Sequence, residues 1–416
     1  MRIDDGKVEF YKKSIIIDAL IYLYVFAIHI FTYRAYLNAI SNAIFAVLGF
    51  AIIYYLFVKC NGGRVYFDRL LGIYTIFFAI CLLSVTYAQL KDKASERVRT
   101  LFLIGIMIFL LYNYLVNTKN DKILIYAILI GGIGYCIYIP AFYGFEEYNR
   151  LLTSGERIGT EIANVNSIGM NISIVVSICM YLALYKKKRY MYIILALPLY
   201  IALGTGSRTA LISIAFIVFS LIFMYFIENQ SASSFVKIIV LLFVVFVIGK
   251  FLLGLPMFET LSKRLEEGFN LFTGGGKVDH SAILRNNMIK YGFKEFKESI
   301  LFGHGINNSA IVTLKHFGLK TYLHNNYVEL LYTVGVLGFF VYYSIYFYLI
   351  KSTYKLFRKR IAYSEIFLVD LFAYLLMDYG TVSYYHKEIY IFFTAAAVFT
   401  KIHSDDKIGE LLSDSI

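Results

Sequence analysis

Three short polar stretches interrupt a largely apolar chain of 416 residues, and they hold the side chains able to do chemistry. The first, ERIGTEIANVNSIG from Glu156 to Gly169, offers Arg157 and Asn166. The second, GTGSRTA from Gly204 to Ala210, sets Ser207 and Arg208 at a tight turn opening a helix. The third is the long polar interval from Pro256 to about Tyr322, with Arg285 and a GHG turn at Gly303, His304 and Gly305. His324 and Asn325 follow on the threshold of the next apolar run. A guanidinium is planar and permanently charged, and suits anionic oxygens. An imidazole titrates near neutral pH and suits proton transfer. Each residue has a plain alternative: Arg208 snorkelling to lipid head groups, Arg285 as a solvated helix charge, His324 as a satisfied interfacial histidine. The combination is what points to a site.

The elements that must position these residues are membrane helices. Hydrophobic residues make up 59% of the chain, charged residues 16%, and the mean hydropathy is +0.66. A soluble domain is nearer half apolar and a quarter charged. An all-α polytopic membrane protein is therefore predicted. With no Trp but 38 Tyr and 37 Phe, tyrosine is expected to supply the interfacial belt. Three prolines suit nearly uninterrupted helices. The net charge of +12 is accounted for by membrane topology, and no nucleic-acid partner is expected. Cys60, Cys81, Cys136 and Cys179 are scattered and read as free thiols. The charged N-terminus, followed by a long apolar run, reads as an uncleaved first span.

Apolar runs fall near 14–32, 38–58, 70–88, 99–116, 123–143, 163–185, 190–204, 208–227 and 236–255, then 324–350, 366–380 and 389–402. That predicts about 12 transmembrane helices, enough length each for a bilayer core. Three segments follow: helices 1–9 over residues 1–255, a large outer loop over 256–323, and helices 10–12 over 324–416. The positive-inside bias puts Lys186–Arg189 and Arg358–Arg360 in the cytoplasm, together with both termini, so the long loop faces out. Within it Ala282 to Ile300 reads as an amphipathic helix. Leu284, Met288 and Tyr291 lie on one apolar track, Ile289, Phe293, Phe296 and Ile300 on the next, with Lys290, Lys294 and Lys297 opposite. Phe272 to Asp279 (FTGGGKVD) reads as a hinge.

GTGSRTALI resembles the SRTA-type segment of the O-antigen polymerase and O-antigen ligase superfamily. RNNMIKYGFKEFKESILFGHGINN resembles its loop pattern of an arginine, an amphipathic helix and a glycine turn. HNNYVELLYTVGVLG is similar to its HN-x-x-x-E segment, and ERIGTEIANVNSIG to a fourth element. The likeness runs from Arg157 to Gly338, with Val165 and Ile300-Leu301 where the family often has proline.

The resemblance implies a GT-C-like glycosyltransferase of the bacterial cytoplasmic membrane, acting on polyprenyl-diphosphate-linked oligosaccharide at the outer face. Arg208 and Arg285 would then stabilise the leaving diphosphate, and His324 would serve as base. Arg157, Asn166, Ser207, Gly303, Gly305 and Asn325 are the expected substrate-binding residues. No cofactor or metal is expected, and the bilayer, a flippase and a chain-length regulator are the expected partners. His304 and His316 are the rival bases; His304 reads as shaping its turn, and His316 as lacking a polar cluster. A Wzy-type polymerase is the leading reading, a ligase its runner-up, and a saccharide flippase or carrier the different class.

Overall fold

The computed structural model describes residues 3–4, 7–8, 11–31, 35–59, 65–154, 156–228, 262, 266 and 280–404. The expected span near 236–255, the Phe272–Asp279 hinge and Cys60 lie outside these residues. Apart from a short antiparallel pairing of Ile3–Asp4 with Lys7–Val8, the regular structure of the described residues is helical.

In chain order the helices begin with α1 (Ile15–Phe31), α2 (Ala35–Tyr54, continued by one wider turn to Lys59), α3 (Arg69–Ser84) and α4 (Lys91–Asn117). Next come α5 (Ile123–Tyr143), α6 (Phe145–Ser154), α7 (Val165–Leu184), α8 (Met191–Thr205) and α9 (Arg208–Glu228). After the undescribed stretch follow α10 (His280–Phe296), α11 (Ala310–Phe317), α12 (Asn326–Arg358), α13 (Ser364–Met377) and α14 (Lys387–Ser404).

Among the described residues, six helices are long and apolar enough to cross a membrane: Leu37–Lys59, α4, α5, α7, α9 and α12. The protein is a multi-pass membrane protein. The expectation of about twelve spans goes beyond what these residues show. Helices α1, α3 and α8 are apolar but shorter, and α13 has 14 residues, a rise of about 21 Å against roughly 30 Å of hydrocarbon. Helix α14 has 18 residues but carries Lys387, Glu388 and Lys401. Helix α4 starts at Lys91, two turns before its apolar run, so the KDKASERV stretch is an extension of the helix and not a loop.

The chain forms two compact units. One comprises residues 1–131, 288–371 and 381–416. Here α3 packs on α12 and α4 on α14, through a core in which tyrosine and phenylalanine rings are interleaved with aliphatic side chains. Tyr74 meets Tyr390 edge-on at 5.2 Å, Phe77 meets Tyr342 at 5.3 Å and Tyr346 meets Phe393 at 4.9 Å. Buried phenols need partners, and Tyr74 Oη donates to the Leu101 carbonyl at 2.5 Å. The abundance of tyrosine thus serves this core as well as any interface.

The other unit comprises residues 132–287 and 372–380. Helix α7 is its axis, buried from Val165 to Ala183 between α8 and α9. A Cβ on Gly169 would lie 2.3 Å from Ala210 Cβ, so small residues let these helices approach closely. Helix α6, amphipathic between α5 and α7, has no counterpart in the sequence-based reading, which had a loop there.

Helix α10 appears where an amphipathic helix was expected, with Lys290, Lys294 and Lys297 exposed. Its buried side differs from the expected tracks: Met288, Gly292, Glu295 and Phe296 are buried, whereas Phe293 and Ile300 are 45% and 50% exposed. Gly292 admits Leu323 and Val328 against the backbone, which pulls that face inward.

Candidate functional site

The expected site residues divide between the two units. Arg157, Asn166, Ser207, Arg208 and Arg285 belong to the α7 unit; Gly303, Gly305, His324 and Asn325 belong to the α12 unit.

In the α7 unit, Asn164 caps α7, its side chain accepting from Asn166 N–H at 2.9 Å. Helix α8 ends at Gly206, whose φ of 57° is the left-handed conformation glycine adopts without strain. Ser207 then opens α9: its hydroxyl accepts from Ala210 N–H at 3.3 Å and donates to Asn166 Oδ1 at 2.9 Å. Asn166 Nδ2 donates to the Gly380 carbonyl at 3.0 Å. The Ile158 amide donates to the Gly204 carbonyl at 3.1 Å, tying the first polar stretch to the second. Two motifs joined by residues 41 positions apart thus form one cluster. Asn166 and Ser207 are buried and bonded to each other, so their observed work is to hold the turn carrying Arg208. Arg157, Arg208 and Arg285 are each partly exposed.

In the α12 unit, the glycine turn is a packing device. Helix α12 is broken at Gly335 (φ 67°, ψ −171°), and Ile300 to Gly305 run alongside the break. His304 N–H donates to the Tyr332 carbonyl at 2.8 Å, Gly305 N–H to Thr333 at 2.9 Å, and Val336 N–H to Ile300 at 2.9 Å. Backbone groups freed by the break are satisfied there, as burial demands. A Cβ on Gly303 would sit 2.6 Å from the Gly335 nitrogen, and one on Gly305 2.7 Å from Ala88 Cα. Both glycines are buried against backbone. Gly303→Ala is therefore expected to abolish folded protein. Gly318→Ala, also at positive φ but with nothing within 4 Å, is expected to cost only about 1–2 kcal/mol. Melting of the two detergent-solubilised variants compares them.

The three histidines have distinct settings. His304 stacks on Tyr332 at 4.5 Å, with Nε2 3.0 Å from the Glu295 carbonyl. It shapes the turn, as expected. His316 does have a polar cluster, contrary to expectation: its Nε2 lies 2.5 Å from Glu295 Oε1, which also meets Lys315 Nζ at 2.9 Å, and its ring stacks on Tyr291 at 4.2 Å. Burial pushes the Glu295 carboxyl up, but the bonds from Lys315 and His316 outweigh it and hold it below the usual range. These contacts lie one helical turn from the apolar positions of α10, so spacing in the sequence concealed them.

His324 differs from both. Its φ is 55°, an uncommon conformation for a non-glycine residue; the residue is partly exposed, and its ring lies 4.3 Å from that of Tyr322. Its neighbours are pinned. Leu323 N–H donates to Glu329 Oε2 at 3.0 Å, and Ser309 Oγ donates to Glu329 Oε1 at 2.6 Å. Asn325 caps α12, accepting from Val328 N–H at 3.0 Å, and Asn326 Oδ1 accepts from the Ser383 and Tyr384 amides at 3.0 and 3.2 Å. Backbone strain persists only where surroundings over-determine it, and here they do. Glu329, 1% exposed, is the residue the sequence reading quoted but gave no role. Its signal was a carboxylate in the first turn of an apolar helix, costly unless bonded.

Residues 193–343 match the family model described as O-antigen ligase. The match covers less than half of the chain. It contains Ser207, Arg208, Arg285, Gly303, Gly305, His324 and Asn325, while Arg157 and Asn166 precede it. No curated protein matches the chain. The match supports the O-antigen ligase and polymerase superfamily, the one named by the resemblance.

Proposed function

We propose that this protein polymerises polyprenyl-diphosphate-linked oligosaccharide repeat units into a surface polysaccharide, at the outer face of a bacterial cytoplasmic membrane. The observation that carries the reading is the match to the O-antigen ligase model, which brings Arg208, Arg285 and His324 in one stretch, joined to the left-handed, partly exposed setting of His324. An acceptor hydroxyl attacks the anomeric carbon of the donor, and its proton passes to His324. The bond to the diphosphate oxygen breaks, and its electron pair leaves with the polyprenyl diphosphate. Arg208 and Arg285 take the charge that grows on that leaving group, which makes a metal unnecessary. Arg157 serves the same anionic donor. A GT-C-like arrangement of helices, and collaboration with a flippase and a chain-length regulator, belong to this reading.

Purified protein in nanodiscs tests it. Given only lipid-linked repeat units, a polymerase produces a ladder of products. A ligase leaves them single until a different acceptor is added, and absence of both outcomes overturns glycosyl transfer. The ligase is the second reading because the matched family description names it.

Orientation has its own test. Lys320→Cys, exposed after α11, is expected to react with a membrane-impermeant thiol reagent added to intact cells. Cysteines replacing the exposed Lys187 and Arg358 are expected to stay unlabelled until the cells are opened. Asn308, although in the same loop as Lys320, is fully buried and unsuitable as a reporter. Labelling of Lys187→Cys in intact cells would invert the topology and remove the outer-face site with it.

A further inference from the structure

Arg97 stands on the two-turn extension of α4. Its setting is not that of a solvated charge. The guanidinium carbon lies 3.3 Å from the centroid of the Tyr385 ring and 5.9 Å from that of Tyr384. Stacking at that distance fixes the plane of the fork. Its Nη2 reaches Asn307 Oδ1 at 3.3 Å, a long bond to a neutral amide. Its Nε is buried and has no hydrogen-bond partner among the described residues.

No carboxylate among the described residues forms an ion pair with Arg97. Glu329 is near enough for the two charges to interact, but its oxygens are committed to Ser309 and to the Leu323 amide. A buried donor without a partner calls for an explanation, and an arginine held rigid without a counter-ion is built for an anion it does not carry permanently. The connection to His324 is short: the carboxylate facing Arg97 also fixes Leu323, the residue before His324.

We propose that Arg97 is an oxyanion-binding residue of the His324 half of the site, and that its ligand is a phosphoryl group of the isoprenyl diphosphate substrate. This rests on the glycosyl-transfer reading above. A diphosphate matches the fork, since two of its oxygens can accept parallel N–H bonds, and it can share Arg97 without displacing the Glu329 contacts.

The test is titration of the nanodisc-embedded protein, in zwitterionic lipid, with farnesyl diphosphate, farnesyl monophosphate and inorganic diphosphate. Wild type is expected to bind farnesyl diphosphate most tightly. Arg97→Gln is expected to weaken that binding about tenfold to hundredfold, the loss typical of a charge-assisted hydrogen bond. Arg97→Lys is expected to lose about tenfold, because it keeps the charge and most of the packing but not the fork. It also keeps the test valid should the Gln variant not fold. Lys93→Ala, an exposed neighbour, is expected to bind farnesyl diphosphate as wild type does. Unchanged affinity in either folded Arg97 variant overturns the proposal while leaving glycosyl transfer standing. Failure of wild type to bind any diphosphate overturns both. Loss of Arg97-dependent binding when the discs contain phosphatidylglycerol would assign the residue to a lipid head group, and would overturn it too.

Discussion

His324→Ala is expected to abolish polymer and leave single lipid-linked repeat units to accumulate, with protein abundance unchanged. Loss of a general base typically costs about 10²–10⁴-fold, so the defect is deep and not partial. The structure gives this prediction its controls. His316 is engaged with Glu295 and Tyr291, and His304 with Glu295 and Tyr332, so each already has structural work. His316→Gln can still donate to Glu295 and is expected to retain polymer. His324→Asn tolerates the left-handed backbone better than alanine and cannot act as a base. Loss of polymer in both His324 variants, with wild-type melting in the Asn variant, separates catalysis from backbone strain. Normal polymer from His324→Asn would move the base elsewhere. Electrophoresis of surface polysaccharide, with mass spectrometry of the lipid-linked pool, reads both outcomes.

Arg208→Lys and Arg285→Lys are each expected to reduce polymer by about two to three orders of magnitude, the scale of losing one donor aimed at developing charge. Lysine keeps the positive charge but presents one point of contact where guanidinium presents a fork. The two positions differ in how firmly they are held. Arg208 follows Ser207, whose hydroxyl is bonded to Asn166 and which opens α9. Asn166→Ala is therefore expected to impair Arg208 indirectly, with partial loss of polymer that Arg208→Lys would not deepen much further. Arg285 stands on α10, two turns before the buried face at Gly292 and Glu295. Lys294→Ala, on the exposed face of that helix, is expected to leave polymer unchanged. If both lysine variants made polymer of normal length and yield, the guanidinium fork would have no part in the reaction.

Membrane insertion was legible in the sequence by itself, because apolar composition over long runs is a one-dimensional property. So were α4, α5, α7, α9 and α12 in rough outline, since a helix in lipid must satisfy its own backbone and its length shows as a run of apolar residues. The order of the motifs, and thereby the O-antigen ligase likeness of residues 193–343, was legible for the same reason. What each polar residue touches was not. Asn166 and Ser207 read as substrate contacts, yet they bond each other across 41 positions. Gly303 and Gly305 read as a binding turn, yet they fill a break in α12 that only Gly335, 30 positions on, creates. Arg97 drew no reading from the sequence, yet Tyr385 lies beneath it from 288 positions away, and no local pattern announces such a pairing. Tertiary structure alone decided these contacts, because a buried polar group must find its partner in space, and the partner's place along the chain does not enter that requirement.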